Sequence, residues 1–191
     1  MEKIKSRIKH SIEVKELCLK DNNLLLAVSK SVEACVDCFR NNGKIFFCGN
    51  GGSAADAQHL ASELSGKFYL ERPPLFAEAL HVNTSHITAV ANDYSFDKIY
   101  SRLIEAKGSK GDILFAISTS GQSPNIIEAV NKANDMELLT IGMIGGAEDS
   151  ILLQACDVVI SIPSSDTPRI QECHILLGHI ICELVEASLY S

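Results

Sequence analysis

The sequence predicts a doubly wound α/β fold: a five-stranded parallel sheet with helices on both faces, preceded by two extra N-terminal helices. Short apolar runs alternate with longer segments of helical periodicity along most of the chain. This alternation is typical of parallel strands joined by right-handed helical crossovers. The chain has 191 residues, of which 46% are hydrophobic, and can bury a core without disulfides. We therefore expect one domain over residues 1–191.

Each element follows from the apolar pattern in turn. Helices are predicted over residues 2–20 and 23–41, and they form an N-terminal extension (1–42) ahead of a ligand-binding core (43–191). Their apolar stripes predict packing on the sheet or on another subunit, so we expect an oligomer. The stripes are Ile4, Ile8 and Ile12, then Leu25, Val28, Val32, Cys35 and Phe39. Strands are predicted at 44–48, 77–82, 112–117, 138–144 and 158–162, and further helices at 53–66, 83–90, 96–106, 124–134, 147–154 and 167–188.

Composition excludes several classes of function. The net charge is -7 and basic clusters are absent, which argues against nucleic acid and anionic membranes as partners. The apolar runs are too short for a membrane span and the N-terminus lacks the apolar core of a signal peptide, so we expect a cytoplasmic protein. Seven scattered cysteines indicate core packing rather than disulfides. The pair Cys35 and Cys38 lies inside an amphipathic helix and has no second pair, which disfavours a redox or metal role.

A glycine-rich turn follows the first predicted strand. Its residues, Gly49 to Ser53, stand directly before a predicted helix. Glycines there allow positive φ and a close approach of backbone N–H groups to a ligand, while Ser53 is placed to cap the helix. A helix start favours anions, although an ordinary tight turn has the same pattern.

A second loop of the same kind follows the third predicted strand. Ser123 is placed as N-cap and Pro124 as the first helical residue. Four hydroxyls, from Ser118, Thr119, Ser120 and Ser123, surround a glycine at the positive end of this helix. They suit the three oxygens of a phosphate monoester, and no lysine follows in the pattern of a nucleoside-triphosphate site. The alternative is a serine-rich loop that only caps its own helix.

Titratable side chains gather on two predicted helices. His59 and Glu63 are four residues apart and share one helical face. Gln171, Glu172, His174 and His179 lie on the last helix. A histidine, a glutamate and a second histidine suit zinc or a similar ion, and they equally suit acid–base chemistry without a metal. For His174, beside Cys173 on the apolar stripe, a core histidine is the favoured interpretation.

Four segments carry a family resemblance that covers nearly the whole chain. They read GNGGSAADAQHLASEL, VANDYSF, ISTSGQSPN and RIQECHILLGH. The chain resembles the phosphoheptose isomerases of the sugar isomerase (SIS) domain group, whose core is flavodoxin-like. The resemblance implies conversion of sedoheptulose 7-phosphate to D-glycero-D-manno-heptose 7-phosphate, the first step of bacterial heptose synthesis, by a cytoplasmic homotetramer. Lys67, where the family often has arginine, and Pro168 are departures that bear on substrate preference.

The resemblance also implies roles for individual residues. The residues implied to contact the sugar are Asn50, Gly51 and Gly52, and Asn92 and Asp93 are also implied to contact the substrate. The residues implied to bind the phosphate are Ser118, Thr119, Ser120 and Ser123. The residues implied to bind one zinc ion per subunit are His59, Glu63, Gln171 and His179. Glu63 and His179 are also the implied acid–base pair, and Gln171 and Glu63 are implied to contact substrate. Two alternatives stay open: a non-catalytic SIS module of the replication-initiator-associating type, in which the positions of Glu63 and His179 lack these groups, and an isomerase of another phosphosugar.

Helix geometry adds one expectation about the site. Gln171 and His179 are eight residues apart, so a straight helix separates them by about 12 Å of rise. Both reach one metal ion only with fully extended side chains. We therefore expect the site in a cleft that this helix crosses, where subunits meet.

Overall fold

The computed structural model describes residues 1–190 and confirms the doubly wound α/β fold. Five parallel strands lie in the order β2-β1-β3-β4-β5. They are β1 (Ile45–Gly49), β2 (Ala77–Ala79), β3 (Ile113–Ser118), β4 (Leu139–Gly145) and β5 (Val158–Ile162). The helices are α1 (Glu2–Lys20), α2 (Asn22–Arg40), α3 (Gly52–Ser65), α4 (Thr84–Asp93), α5 (Ser101–Lys107), α6 (Pro124–Asp135), α7 (Ile151–Ala155) and α8 (Thr167–Tyr190).

Alternate strand residues build two hydrophobic layers, one on each face of the sheet. Phe47 and Phe115 point to the face covered by α1, α2, α3 and α8, and their rings stack 4.9 Å apart. Phe46 and Leu114 point to the opposite face, among residues of α4 to α7. Because successive side chains of a strand point to opposite faces, strands buried on both sides must be apolar throughout. All residues of β1 and β3 are buried accordingly.

The two N-terminal helices pack differently. The stripe of α2 is mostly in the core, and Asp21 caps this helix by accepting hydrogen bonds from the N–H groups of Asn23 and Leu24. In contrast, the α1 stripe of Ile4, Ile8 and Ile12 is more than half exposed. The stripe of α1 therefore does not pack on the sheet of its own chain.

Helix α8 alone among the described residues is long and apolar enough to cross a membrane by length and composition. The core helix of a soluble protein meets the same two criteria. Its buried residues Ile170, Cys173, Leu177 and Ile181 recur every three or four positions and belong to the core beneath the sheet. Packing inside the fold accounts for this buried face of the helix.

Several predicted boundaries were wrong, among them the end of the helix predicted at 83–90, which runs to Asp93. Strand β2 ends at Ala79 rather than at residue 82, because it is an edge strand that pairs only with β1. The helix predicted at 96–106 is a 3₁₀ turn, Phe96–Lys98, followed by α5. Helix α7 begins at Ile151 rather than at 147, since Ser150 at its N-cap has extended backbone angles.

The seven cysteines are free thiols, and six of them are buried. Burial raises the pKa of Cys38 to about 12 and that of Cys35 well above its usual range, so both thiols stay protonated at neutral pH. The prediction of core cysteines is confirmed.

Candidate active site

The two predicted loops meet at the carboxyl ends of neighbouring strands. β1 and β3 pair directly, with Gly49 opposite Ile117. The chain leaves β1 toward β2 on one side while β3 lies on the other, and ligands bind at such a switch point. A cleft of about 330 Å³ opens there. It is lined by Asn50, Gly51, Gly52, Ser53, Ile117, Ser118, Thr119, Ser123, Thr167 and Gln171.

The glycine turn presents a helix start to this cleft. Gly51 is the N-cap of α3 and has φ 56°, a left-handed conformation that favours glycine. The predicted cap at Ser53 was wrong, because the helix begins at Gly52 and places Ser53 inside its first turn, buried. No side chain caps α3. Its amino end therefore keeps a partial positive charge toward the cleft.

The hydroxyl-rich loop begins α6 as predicted, with Ser123 at the N-cap and Pro124 in the first turn. The Ser123 hydroxyl makes no capping hydrogen bond and instead lies 3.2 Å from the Ser118 hydroxyl. Ser118 Oγ accepts a hydrogen bond from the N–H of Gly121, and Ser120 Oγ accepts one from Gln122. The hydroxyls of Ser118 and Ser123 thus face each other at a helix start, an arrangement that suits an anion, whereas Ser120 is exposed and does not line the cleft.

A pair of amides joins the two loops. Asn50 Nδ2 donates to Asn125 Oδ1 and Asn125 Nδ2 donates to Asn50 Oδ1, both at 2.8 Å. Asn125 is 1% exposed and lies in the first turn of α6, whereas Asn50 stands in the glycine turn. The pair fixes one loop against the other. The sequence interpretation missed Asn125, for which the only signal was an asparagine directly after the Ser-Pro helix start.

His59, Glu63 and His179 lie together on α3 and α8. The Nε2 atoms of the two histidines are 2.8 Å apart, and His59 Nε2 is 3.2 Å from Glu63 Oε1. One potential ligand atom from each of the three side chains lies within 4.8 Å of the others. His59 is exposed, while Glu63 and His179 are half-buried. Three proton-carrying groups thus share one accessible surface.

Gly178 allows the close approach of the two helices. A Cβ atom at this position would meet the side chain of Leu60 at 2.6 Å. Leu60 follows His59 in α3, and Gly178 precedes His179 in α8. The contact that brings the two histidines within hydrogen-bonding distance therefore depends on a residue without a side chain.

The donor set of His59, Glu63 and His179 has the ligand types that zinc prefers. Tetrahedral zinc with bonds of about 2.1 Å separates its ligand atoms by about 3.4 Å. The 3.2 Å and 2.8 Å separations are somewhat shorter. Small side-chain rotations open them, so these three residues fit the ion.

The remaining predicted residues lie elsewhere. The Gln171 amide is packed over Gly52 in the cleft, eight residues before His179 on α8. Asn92 and Asp93 are exposed at the end of α4, hydrogen-bonded to each other at 2.8 Å, and do not line the cleft. A shared site for all of these residues is not formed within one chain.

His174 is buried, as the sequence indicated. Its Nε2 atom lies 3.2 Å from the carbonyl oxygen of Ile144, and its Nδ1 atom has no hydrogen-bond partner among residues 1–190. Burial lowers its pKa to about 4, so the ring is neutral at physiological pH. The core placement is confirmed, whereas only one of the two ring nitrogens is satisfied.

Comparisons with known proteins point to one family. Residues 13–145 match the SIS domain. The phosphoheptose isomerase of Clostridium acetobutylicum is 47% identical over 189 residues, which is 98% of this chain and 95% of that protein. That of Aneurinibacillus thermoaerophilus is 44% identical over 187 residues, or 98% and 94%.

Solved structures agree with the sequence matches. Phosphoheptose isomerase GmhA from Neisseria gonorrhoeae superposes with a TM-score of 0.90 at 40% identity, over 97% of this chain and 98% of that one. The phosphoheptose isomerase from Francisella tularensis gives a TM-score of 0.93 at 38% identity, over 97% of each chain. The chain belongs to the SIS domain family and, within it, to the phosphoheptose isomerases.

Proposed function

We propose that this chain interconverts sedoheptulose 7-phosphate and D-glycero-D-manno-heptose 7-phosphate in bacterial heptose synthesis. The proposal rests on the accessible cluster of His59, Glu63 and His179. These residues lie on α3 and α8, the same two helices whose first turns line the cleft. The rise is about 10 Å from Gly52 to His59 along α3 and about 12 Å from Gln171 to His179 along α8. A phosphate held at one end would leave the other end of the sugar for chemistry.

The reaction moves one proton between C1 and C2 and another between the two oxygens. In our proposal the Glu63 carboxylate takes the carbon-bound proton and returns it to the neighbouring carbon through an enediol. The His179 imidazole carries the proton between the oxygens. The Nε2 atom of His59 lies 2.8 Å from His179 Nε2 and 3.2 Å from Glu63 Oε1. In this proposal His59 therefore holds the His179 ring and the Glu63 carboxylate in position.

The four hydroxyls of Ser118, Thr119, Ser120 and Ser123 bind the phosphate in this proposal. Asn50, Gly51 and Gly52 approach the sugar, and the Gln171 amide contacts it from α8. Support comes from the hydroxyls at the start of α6 and from the uncapped start of α3. Two helix starts add favourable electrostatics to neutral hydrogen bonds, so an acidic protein can still hold a phosphate.

We further propose that His59, Glu63 and His179, with Gln171 by family resemblance, hold one zinc ion per subunit. When bound, the ion would polarise the substrate oxygens as a Lewis acid. A carboxylate that binds a metal tightly is a poorer base, so the two roles of Glu63 compete. Metal content and rate therefore have to be measured on the same samples.

A cytoplasmic homotetramer is part of the proposal. The exposed apolar stripe of α1 supports association, since Ile4, Ile8 and Ile12 are uncovered in one chain. Gln171 faces the phosphate cleft while His179 lies about 12 Å farther along α8. We therefore propose that the site is completed between subunits, and that a second copy contributes Asn92 and Asp93. Such a site explains why the predicted residues lie apart in a single chain.

The test is turnover of sedoheptulose 7-phosphate by the purified protein, beside Glu63→Gln and the control Glu105→Gln. Glu105 is an exposed carboxylate on α5, away from the cleft. We expect an aldoheptose phosphate from the wild type and the control, and none from Glu63→Gln. If no sample forms product while sugar phosphate still protects the fold against heat, the chain is a binding module. Turnover of a hexosamine phosphate alone would replace the proposed substrate.

A further inference from the structure

We propose that Arg72 and Glu186 are positioning residues, a buried clamp that sets the separation of Glu63 and His179. The inference rests on the proposed function, because it assigns this separation a role in catalysis. Neither residue touches the candidate cluster with its charged group. Both act through the helices that carry it.

Glu186 lies on α8, two turns beyond His179 and on the same side of the helix. Its side chain is 2% exposed. The carboxylate accepts hydrogen bonds from the backbone N–H groups of Phe68, Tyr69 and Leu70, at 2.9, 2.6 and 2.7 Å. One residue of α8 thus holds the segment that follows α3.

Arg72 completes the clamp from the other side. Its side chain is 1% exposed, and its Nε atom donates to Glu186 at 2.8 Å. The two Nη groups donate to the carbonyl oxygens of Glu63 and Leu64, each at 2.9 Å, and to those of Gly66 and Pro73. Carbonyls in the last turn of a helix lack partners inside the helix, so the guanidinium binds the end of α3 that carries Glu63.

The clamped segment also reaches the cluster directly. The ring of Phe68, whose N–H group donates to Glu186, lies 5.9 Å from the ring of His179. The clamp therefore fixes three things together: the backbone of Glu63, the helix of His179 and the aromatic ring beside that histidine.

A purely structural role is the alternative. A buried ion pair is weak evidence for net stability, because desolvation of the two charges offsets much of their attraction. The placement of this pair is more specific, since its hydrogen bonds end on the two elements that present the candidate base and its partner. Displacement of a reacting group by about 1 Å can cost about 100-fold in rate.

The experiment uses the full chain with Glu186→Gln and Arg72→Lys, and Glu183→Gln as the matched control. Glu183 is exposed on the same helix. Each protein is assayed well below its own Tm for kcat and KM with sedoheptulose 7-phosphate. Ring ¹⁵N NMR spectra of the six histidines are recorded on the same samples. Arg72→Lys keeps the charge but loses the guanidinium fork, and it is a second test of the clamp if Glu186→Gln folds poorly.

We expect kcat to fall about 10- to 100-fold in both clamp variants, with KM within about two-fold, because the clamp holds the carboxyl-terminal halves of α3 and α8, whereas the residues of these helices that line the cleft lie at their amino ends. The ring signals of His59 and His179 should shift, and Glu183→Gln should behave as wild type. Unchanged kcat and unchanged ring signals, with only a lower Tm, would overturn the proposal. If the wild type itself has no turnover, the proposed function fails, while the ring spectra still decide whether the clamp positions the histidines.

Discussion

Acid should remove a contribution to stability that Glu186 makes at neutral pH. Burial raises the pKa of this carboxyl, but hydrogen bonds from the backbone of Phe68, Leu70 and Tyr69, and from Arg72, outweigh burial and lower the pKa from 4.5 to about 2. A carboxyl whose pKa is lower in the folded state stabilises the protein above its ordinary pKa. The contribution is then lost as the pH falls through the folded-state value.

The size of the effect follows from the pKa. At 1.36 kcal/mol per unit, the lowering from 4.5 to about 2 corresponds to about 3 kcal/mol at pH 7 and about 1 kcal/mol at pH 3. The stability difference between wild type and Glu186→Gln should therefore shrink by about 2 kcal/mol between pH 7 and pH 3.

Urea unfolding followed by far-UV circular dichroism measures this difference, since the chain has no tryptophan. Wild type, Glu186→Gln and Glu183→Gln are compared at pH 7, 5, 4 and 3 and at one protein concentration, because association shifts apparent stability. Glu183→Gln should show no such shrinkage. A difference between wild type and Glu186→Gln that stays constant from pH 7 to pH 3 would refute the reasoning.

Three further outcomes follow from the site. Asn125→Leu removes both amide hydrogen bonds to Asn50, so the free energy of unfolding in urea should fall by about 1–3 kcal/mol and KM should rise. An unchanged KM would show that the amide pair has no role in substrate binding. Gly178→Ala gains about 1 kcal/mol of helix propensity but presses on Leu60, so kcat should fall about ten-fold with little change in Tm, and normal kcat would contradict this. Chelation should lower metal content and rate together, and zinc should restore both; full rate without metal would remove zinc from the account.

The fold was predictable because its central strands are buried and mostly apolar. β1, β3 and β4 are buried on both faces, so their sequences stand out from the amphipathic helices between them. β2 pairs with one neighbour only, and three of the six residues predicted for it lie outside the strand. Edge pairing and the split of the predicted helix at 96–106 depend on tertiary contacts that local periodicity does not carry.

The candidate site was predictable where its signal is local. The hydroxyl loop and the His59–Glu63 spacing are contiguous patterns, and family resemblance supplied His179. The amide partner of Asn50 is 75 residues away, and the partner of Arg72 is 114 residues away. No spacing rule connects such pairs, because only the folded sheet brings α3, α6 and α8 together.

The central claim is that Glu63 moves a carbon-bound proton of a heptose phosphate. Its most direct test is isomerisation of sedoheptulose 7-phosphate in D₂O, with the position of deuterium read by NMR. We predict solvent deuterium at C2 of the aldose formed by the wild type, and neither product nor exchange with Glu63→Gln. Product whose C2 hydrogen comes entirely from the substrate, or undiminished exchange in Glu63→Gln, would contradict the account.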